Sequence, residues 1–299
     1  MYKPTGMIPA LPTPFDEQGK IDFDAYRDLI EFLIEGGVHC LLAGGSTGEY
    51  SLMTMEERKE VIKFAVETAN GRVPVMAGTS CNRTEDTIAL TKYAAEVGAD
   101  CALVLPPYYM QTSEEGIKEY FKAIADAVDI GIVIYHYPAA TNVELSPELI
   151  AELSKIDGIV SIKNTADQEH TCKVIALTKD QPDFTVLTGF EHLILPTLAV
   201  GGHGATGIVI NLVPKEIVKM YDLFVKEKDI EGAIALNQKL TPLYDYVEQE
   251  PSPGPVKAGL DLLGLRGGTV RSPLVPASDE LKRKMKAVLD ELGYETKPV

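Results

Sequence analysis

The chain has few of the residues that carry metal or redox chemistry. Its 299 residues include no tryptophan, four cysteines and five histidines. The cysteines are Cys40, Cys81, Cys101 and Cys172, and the histidines are His39, His136, His170, His192 and His203. Without C-x-x-C spacing, the cysteines are typical of reduced thiols in a cytoplasmic protein. The histidines show no ligand spacing, so we expect no metal site.

The chain also lacks an excess of basic residues and any long apolar run. Lysine and arginine number 28 against 44 acidic residues, which gives a formal net charge of -16. Such a charge repels phosphate backbones and anionic lipids, so we expect neither nucleic acid nor membrane partners. No apolar run approaches the roughly 18 residues of a membrane-spanning helix. The first residues do not resemble a signal peptide.

Short runs of apolar, β-branched residues are present and recur eight times. They lie near Met7, Cys40, Val73, Ala102, Ile132, Ile159, Thr185 and Ala205. Between them, apolar residues follow helical three- and four-residue spacing. Alternating strands and helices predict an α/β fold with a parallel sheet, and eight such units favour a (β/α)8 TIM barrel over residues 1–225. The remainder predicts a C-terminal helical extension, residues 226–299.

In a barrel of this kind, functional groups lie where the strands end. Lys163 ends the apolar run that begins at Gly158, so its side chain is expected in the barrel mouth. Desolvation there favours the neutral amine, which can attack a ketone and form a Schiff base. The alternative is a lysine that pairs with a carboxylate at the barrel rim.

Tyr135 ends the strand before that of Lys163, so the two side chains are expected side by side. Its phenol can donate and accept protons, as Schiff-base formation and carbon–carbon cleavage require. The alternative is an aromatic plug at the top of the core, because Tyr137 and Tyr109 are expected in the same mouth.

A glycine-rich segment, Gly44 to Glu49, joins the second strand to its helix. Glycines expose backbone N–H groups, and the hydroxyls of Ser46 and Thr47 add donors, so the loop could bind a carboxylate without arginine. An ordinary strand-to-helix turn is the alternative. A second cluster, Gly202 to Gly207, matches G-x-G-x-x-G but leads into a strand instead of leaving one, which argues against a dinucleotide.

In sequence order, these motifs resemble the dihydrodipicolinate synthase / N-acetylneuraminate lyase family, which are class I pyruvate-dependent aldolases. The resemblance covers essentially the whole chain and rests on Gly45 to Glu49, Tyr135 to Pro138, Ile162-Lys163, Pro107 to Tyr109 and the C-terminal Pro255-Val256-Lys257. It implies a homotetramer that uses no metal or organic cofactor, because the protonated imine is itself the electron sink.

The resemblance also implies roles for individual residues. Lys163 would form the Schiff base with pyruvate or another 2-oxo acid. Tyr135 would move protons, relayed through Ser46 and a Tyr109 of its own or a neighbouring subunit. The candidate substrate-binding residues are Gly45, Thr47, His136, Gly189, Glu191, His192 and Thr206. Of these, Glu191 and His192 could contact a polyol or form a solvated rim.

Departures from the family pattern bear on the substrate. Dihydrodipicolinate synthases usually carry an arginine two residues after the motif proline, where this chain has Ala140. Losing that cation removes a strong contact to the carboxylate of an aldehyde. At the position after Tyr135, where the family usually has an asparagine, this chain has His136. The motifs look nearest to 2-keto-3-deoxygluconate aldolases and sialate lyases.

The sequence therefore favours reversible cleavage of a 2-keto-3-deoxy sugar acid to pyruvate and an aldehyde. One alternative is 4-hydroxy-tetrahydrodipicolinate synthase, with condensation onto aspartate semialdehyde. Another is dehydration of a keto-deoxy acid on the same Schiff base. From a different class, a barrel without catalysis could bind a 2-oxo acid as a sensor, although sensing does not require both Lys163 and Tyr135.

Overall fold

A computed structural model describes residues 1–299 and contains eight parallel strands. They are β1 (Gly6–Pro9), β2 (Leu41–Ala43), β3 (Val75–Gly78), β4 (Cys101–Val104), β5 (Gly131–His136), β6 (Ile159–Asn164), β7 (Thr185–Thr188) and β8 (Gly204–Gly207). β1 pairs with β8, and a bridge between Ala10 and Leu42 joins β1 to β2. The sheet therefore closes, and the predicted TIM barrel is confirmed.

Helices alternate with the strands and cover the outside of the barrel. They are α1 (Phe23–Glu35), α2 (Met55–Ala69), α3 (Thr84–Glu96), α4 (Glu114–Ala125), α5 (Pro138–Thr141), α6 (Pro147–Leu153), α7 (Gln168–Thr178), α8 (Ile194–Ala199) and α9 (Pro214–Asp222). Several begin at a capping side chain, and α2 has a full capping box in which Thr54 and Glu57 bond reciprocally. These caps satisfy N–H groups that a helix start leaves unpaired.

The C-terminal extension is helical, as predicted. After a π-helical turn (Leu223–Glu227) it contains α10 (Ile230–Glu248), α11 (Gly254–Leu262) and α12 (Asp279–Glu291). Its apolar side chains, including Leu240, Leu260 and Met285, join the same buried cluster as Met7 and Leu41 of the barrel. The extension is therefore packed against the barrel, near β1 and β2. None of the helices has both the length and the apolar character that crossing a membrane requires.

The inside of the barrel has its own packed cluster. It is formed by inward side chains such as Ile8, Leu42, Val133 and Leu187, and it includes Tyr135 at its upper end. Ile134 and Ile162 of the same strands point outward, into a separate cluster beneath the helices. Inward and outward positions alternate along β5 and, past a register shift near Val160, along β6 from Ser161 to Asn164. This alternation, which strand geometry requires, positions the site.

Candidate active site

Lys163 and Tyr135 meet where β5 and β6 end. The two residues are partners in the strand register. Lys163 Nζ lies 3.4 Å from Tyr135 Oη and 4.4 Å from the centre of its ring. Lys163 is 6% exposed and Tyr135 is 5% exposed. A buried amine next to a phenol can exchange a proton with it while it attacks a carbonyl carbon.

A cavity connects Tyr135 to the glycine-rich loop. It is lined by Gly45, Ser46, Tyr50, Ser80 and Tyr135, among others. Tyr135 touches both this cavity and Lys163, and it can therefore act on a molecule held between them.

The glycine-rich loop folds into consecutive tight turns. Gly48 N–H donates to Gly45 O over 3.0 Å, and Glu49 N–H donates to Ser46 O over 2.9 Å. Ser46 is exposed at the cavity, whereas Thr47 is buried. The turn requires glycine in β3 as well, because a Cβ on Gly78 would lie 2.2 Å from Gly44 O. The loop therefore places Ser46 at the cavity, on the segment that the sequence predicts to bind a carboxylate.

The structure brings Tyr108 to this mouth and leaves Tyr109 outside it. Tyr50 Oη and Tyr108 Oη are 3.4 Å apart, and both rings pack against the barrel interior. Burial raises the pKa of Tyr50. Tyr109 is 89% exposed on a left-handed backbone, with φ 72°. The expectation that Tyr109 shares the mouth of its own chain with Tyr137 is therefore wrong, because the strained turn after Tyr108 directs it outward.

Two unpaired hydroxyls, those of Thr165 and Thr206, lie at strand ends near that of Lys163, and the sequence indicated only Thr206 as a candidate. In the strand register, Thr165 and Thr206 flank Gly189, because Asn164 pairs with Thr188 and Thr188 with Ala205. Both hydroxyls are buried without a protein partner. A Cβ on Gly189 would lie 1.9 Å from Thr165 Oγ1 and 3.1 Å from Lys163 Cε. Glycine at position 189 thus permits the close approach of Thr165 and Lys163, and the two hydroxyls are free to bind a polar substrate group.

His136 points away from this space, although sequence analysis counted it as a substrate-binding candidate. Its Nε2 accepts from Leu145 N–H over 3.2 Å, so its protonated Nδ1 donates to Asn164 Oδ1 over 2.7 Å. The ring is fully buried, and burial lowers its pKa. His136 is therefore a structural residue of the outer face, because the residue after an inward Tyr135 must point outward.

One group of possible metal ligands exists beside His136. Ligand atoms of His136, Glu144 and His170 all lie within 4.8 Å of one another. Both ring nitrogens of His170 are engaged, however, with Leu145 O at 2.9 Å and with the Asn164 amide at 3.2 Å. A metal ion would have to displace these hydrogen bonds, and those of His136 as well.

Glu191 and His192 are also placed differently from the solvated or sugar-binding rim that we considered. Glu191 is buried, and its Oε1 accepts from the backbone N–H groups of Ile208 and Val209, the latter over 2.7 Å. Burial raises its pKa. His192 Nε2 lies 3.1 Å from Asp245 Oδ1 of α10. Glu191 therefore caps the turn after β8, and His192 contacts the C-terminal extension.

Comparisons with known proteins agree with this geometry. The model of the dihydrodipicolinate synthetase family matches residues 3–292. The 4-hydroxy-tetrahydrodipicolinate synthase of Methanothrix thermoacetophila is 39% identical over 96% of this chain and 97% of its own length. The crystal structure of dihydrodipicolinate synthase from Aquifex aeolicus superposes with a TM-score of 0.92 at 36% identity, over 98% of this chain and 100% of that one.

A further solved structure contains a ligand. YagE, a prophage protein of the dihydrodipicolinic acid synthase family from E. coli K12 whose structure is in complex with pyruvate, has a TM-score of 0.92 at 32% identity, over 97% of this chain and 99% of that one. The match to the family model and the identity to whole-length relatives both exceed what chance similarity of barrels gives. The chain is therefore a carbon–carbon lyase and belongs to the dihydrodipicolinate synthetase family.

Proposed function

We propose that this chain forms a Schiff base between Lys163 and pyruvate and joins the resulting enamine to an aldehyde. The observation that carries this proposal is the contact of 3.4 Å between Lys163 Nζ and Tyr135 Oη in a buried strand-end pair. The amine attacks the keto carbon, water leaves, and a proton lost from the methyl group gives the enamine. Tyr135 moves protons in these steps. The protonated imine takes up the electrons, so the proposed reaction involves no cofactor.

The glycine-rich loop is proposed to hold the carboxylate of pyruvate. Gly44, Gly45 and Ser46 of this loop line the same cavity as Tyr135. Backbone donors in a tight turn bind anions well because they are fixed before the ligand arrives. Thr47, which is buried in the same turn, would hold the loop or the carboxylate.

A neighbouring subunit is proposed to supply Tyr109. In its own chain this tyrosine is 89% exposed, next to an exposed Met110. Such an apolar surface is typical of an oligomer contact. A homotetramer, as the resemblance implies, would allow Tyr109 to enter the site of another subunit and extend the relay from Tyr135.

Aspartate semialdehyde is the first candidate for the aldehyde. The curated relatives that resemble this chain over nearly its whole length are named 4-hydroxy-tetrahydrodipicolinate synthase. These names support the synthase, our alternative from sequence, better than the cleavage of a sugar acid. The obstacle is Ala140, which offers no cation to the carboxylate of the aldehyde. Arg58 lies near the cavity, but it does not supply this cation. Its side chain is buried, and its guanidinium donates to Gly78 O over 3.1 Å.

A 2-keto-3-deoxy sugar acid is the second candidate, because a specific observation favours it. The unpaired hydroxyls of Thr165 and Thr206 beside Gly189 suit the hydroxyls of a sugar chain. The small, exposed Ala140 also leaves room for a neutral polyol. Dehydration of such an acid on the same Schiff base would give a dehydrated oxo acid in place of pyruvate.

Borohydride reduction in the presence of pyruvate tests the shared first step. We expect a reduced pyruvyl adduct on Lys163 by peptide mass spectrometry, none in Lys163→Ala, and an unchanged adduct in Lys155→Ala, which alters an exposed lysine. A folded wild-type protein that gives no adduct would contradict the proposal and leave the 2-oxo acid sensor.

The two candidate substrates are then compared on the same enzyme. Turnover of pyruvate with aspartate semialdehyde supports the synthase, and release of pyruvate from keto-deoxy sugar acids supports cleavage. Ala140→Arg sharpens the comparison. If the carboxylate of the semialdehyde lies near residue 140, this variant should raise turnover of the semialdehyde relative to that of sugar acids.

A further inference from the structure

Glu49, the last residue of the glycine-rich loop, has a strained backbone. Its φ is 60° and its ψ is 34°, which is the left-handed region that residues other than glycine rarely adopt. Its N–H donates to Ser46 O over 2.9 Å. A shift of Glu49 would therefore move Ser46 and the N–H groups between them. A strained residue keeps its conformation only where contacts from the surrounding structure hold it there.

The C-terminal extension holds it by its side chain. Glu49 Oε1 lies 2.6 Å from Lys257 Nζ of α11, and neither side chain is more than 2% exposed. Glu49 Oε2 accepts from Arg271 N–H over 2.8 Å. One carboxylate oxygen thus forms an ion pair and the other accepts a hydrogen bond, both with residues of the extension, far along the chain from the loop.

Lys257 is itself fixed in place. Its Nζ donates to Thr269 O over 2.5 Å and lies 4.6 Å from the centre of the Phe15 ring. A buried ammonium with these neighbours has little freedom to follow a moving carboxylate. Burial lowers the pKa of Lys257, and Glu49 opposes that shift.

We propose that Lys257 and Glu49 are positioning residues through which the C-terminal extension sets the shape of the loop that binds the carboxylate of the 2-oxo acid. The proposal rests on the function proposed above. It explains why a charged pair, which is costly to bury and no better for stability than apolar residues of similar size, stands directly behind the loop. Neither residue touches the substrate.

The test measures how much pyruvate is needed for half-maximal borohydride trapping, well below the melting temperature of each variant. Lys257→Met leaves Glu49 buried without its partner and risks misfolding. The double variant Glu49→Gln/Lys257→Met removes both charges, leaves no buried charge unpaired, and keeps a side-chain oxygen for Arg271 N–H. Arg266→Ala is the matched control, because its exposed side chain also joins the extension to the barrel, through Asp22 and Asp28.

We expect the double variant to need at least about tenfold more pyruvate for half-maximal trapping, because small displacements of positioning groups have effects of this size or larger. KM for pyruvate should rise in parallel, with a smaller change in KM for the aldehyde. Arg266→Ala should stay within about twofold of wild type. A folded double variant with wild-type pyruvate dependence overturns the proposal, even if its melting temperature falls. Absence of trapping in the wild type would instead overturn the proposed function, and this inference with it.

Discussion

The polar residues on the two faces of β5 and β6 differ in how completely their hydrogen bonds are satisfied. On the inner face, Lys163 has one long contact of 3.4 Å to Tyr135, and the hydroxyl of Thr165 has no protein partner. On the outer face, His136 and Asn164 are 2.7 Å apart, and the Asn164 amide also donates to Thr171 Oγ1 over 3.0 Å. Inner and outer residues are adjacent in sequence, because successive residues of a strand point to opposite faces.

The difference separates residues that act on a ligand from residues that hold the strands. A buried polar group normally finds its partners within the protein, and leaving one unpaired costs stability. The inner face leaves Thr165 unpaired and Lys163 with one long contact, whereas the polar atoms of His136 and Asn164 on the outer face all have partners. We propose that the inner groups are kept available for a substrate and that the outer groups fix the register that aligns them.

Among the variants that distinguish the two faces, Lys163→Ala should cause the largest loss of turnover. Without the amine no Schiff base forms, and we expect turnover to fall on the order of 10⁴-fold or more. The melting temperature should stay the same or rise, because the variant removes a buried amine with a single weak contact. Steady-state kinetics and thermal unfolding check both parts. A large drop in melting temperature would show that the inner face is also structural.

Tyr135→Phe should have the next largest effect. Removing the phenol oxygen keeps the ring packed in the barrel interior but stops proton transfer, so turnover should fall about 10²- to 10³-fold. The rate of borohydride trapping should fall as well, since dehydration to the imine needs the same protons. Tyr137→Phe is the control, because the Tyr137 ring stacks on Tyr135 at 5.8 Å, whereas the hydrogen bond of Lys163 goes to Tyr135. Equal losses in both variants would argue against a proton-transfer role for Tyr135.

Thr165→Val should change substrate preference more than rate. Valine keeps the shape of threonine and removes the unpaired hydroxyl, so a sugar acid that bonds to it should lose about tenfold in kcat/KM. Trapping of pyruvate alone should change little. Thr206→Val tests the hydroxyl on the other side of Gly189 in the same way. If neither variant alters the ratio of sugar acid to semialdehyde turnover, the second candidate substrate loses its structural support.

The strand pattern was sufficient to predict much of this site. Eight apolar runs located eight strands, and the rule that groups at strand ends are functional selected Lys163 and Tyr135. Because successive residues of a strand point to opposite faces, His136 next to Tyr135 should point outward, and Thr165, two residues after Lys163, should point inward. The sequence-based list of site residues included His136 and omitted Thr165 because it used position at a strand end without the direction of the side chain.

Other features depend on tertiary packing that no local pattern contains. Tyr108 enters the mouth and Tyr109 leaves it because of one left-handed turn, and adjacent tyrosines look equivalent in sequence. The burial of Glu191 against N–H groups of the turn after β8 requires β7 and β8 to be side by side. The pair of Glu49 and Lys257 joins residues from opposite ends of the chain. Such contacts follow from the closed barrel and its packed extension.

His136→Gln should have the smallest effect on turnover and should act on stability. Glutamine can accept from Leu145 N–H but cannot also reach Asn164 in the same way, so we expect a loss of about 1 to 2 kcal/mol at pH 7. Burial lowers the pKa of His136 from its ordinary value of 6.5; the hydrogen bond to Asn164 and the charge of Glu144 oppose this shift, and His170 adds to it. Below pH 6.5 the unfolded chain therefore binds the proton more readily than the folded one, and stability falls as the pH drops toward the folded pKa.

The variant should remove that contribution, so its melting temperature should fall less between pH 7 and pH 5 than that of the wild type. Some acid sensitivity will remain, because burial also lowers the pKa of His39 and His203. Turnover at pH 7 should change by only a few-fold if His136 serves the register and not the substrate. An unaltered pH dependence of the melting temperature, together with a large rise in KM for pyruvate, would place His136 with the inner face and remove the distinction between the two faces.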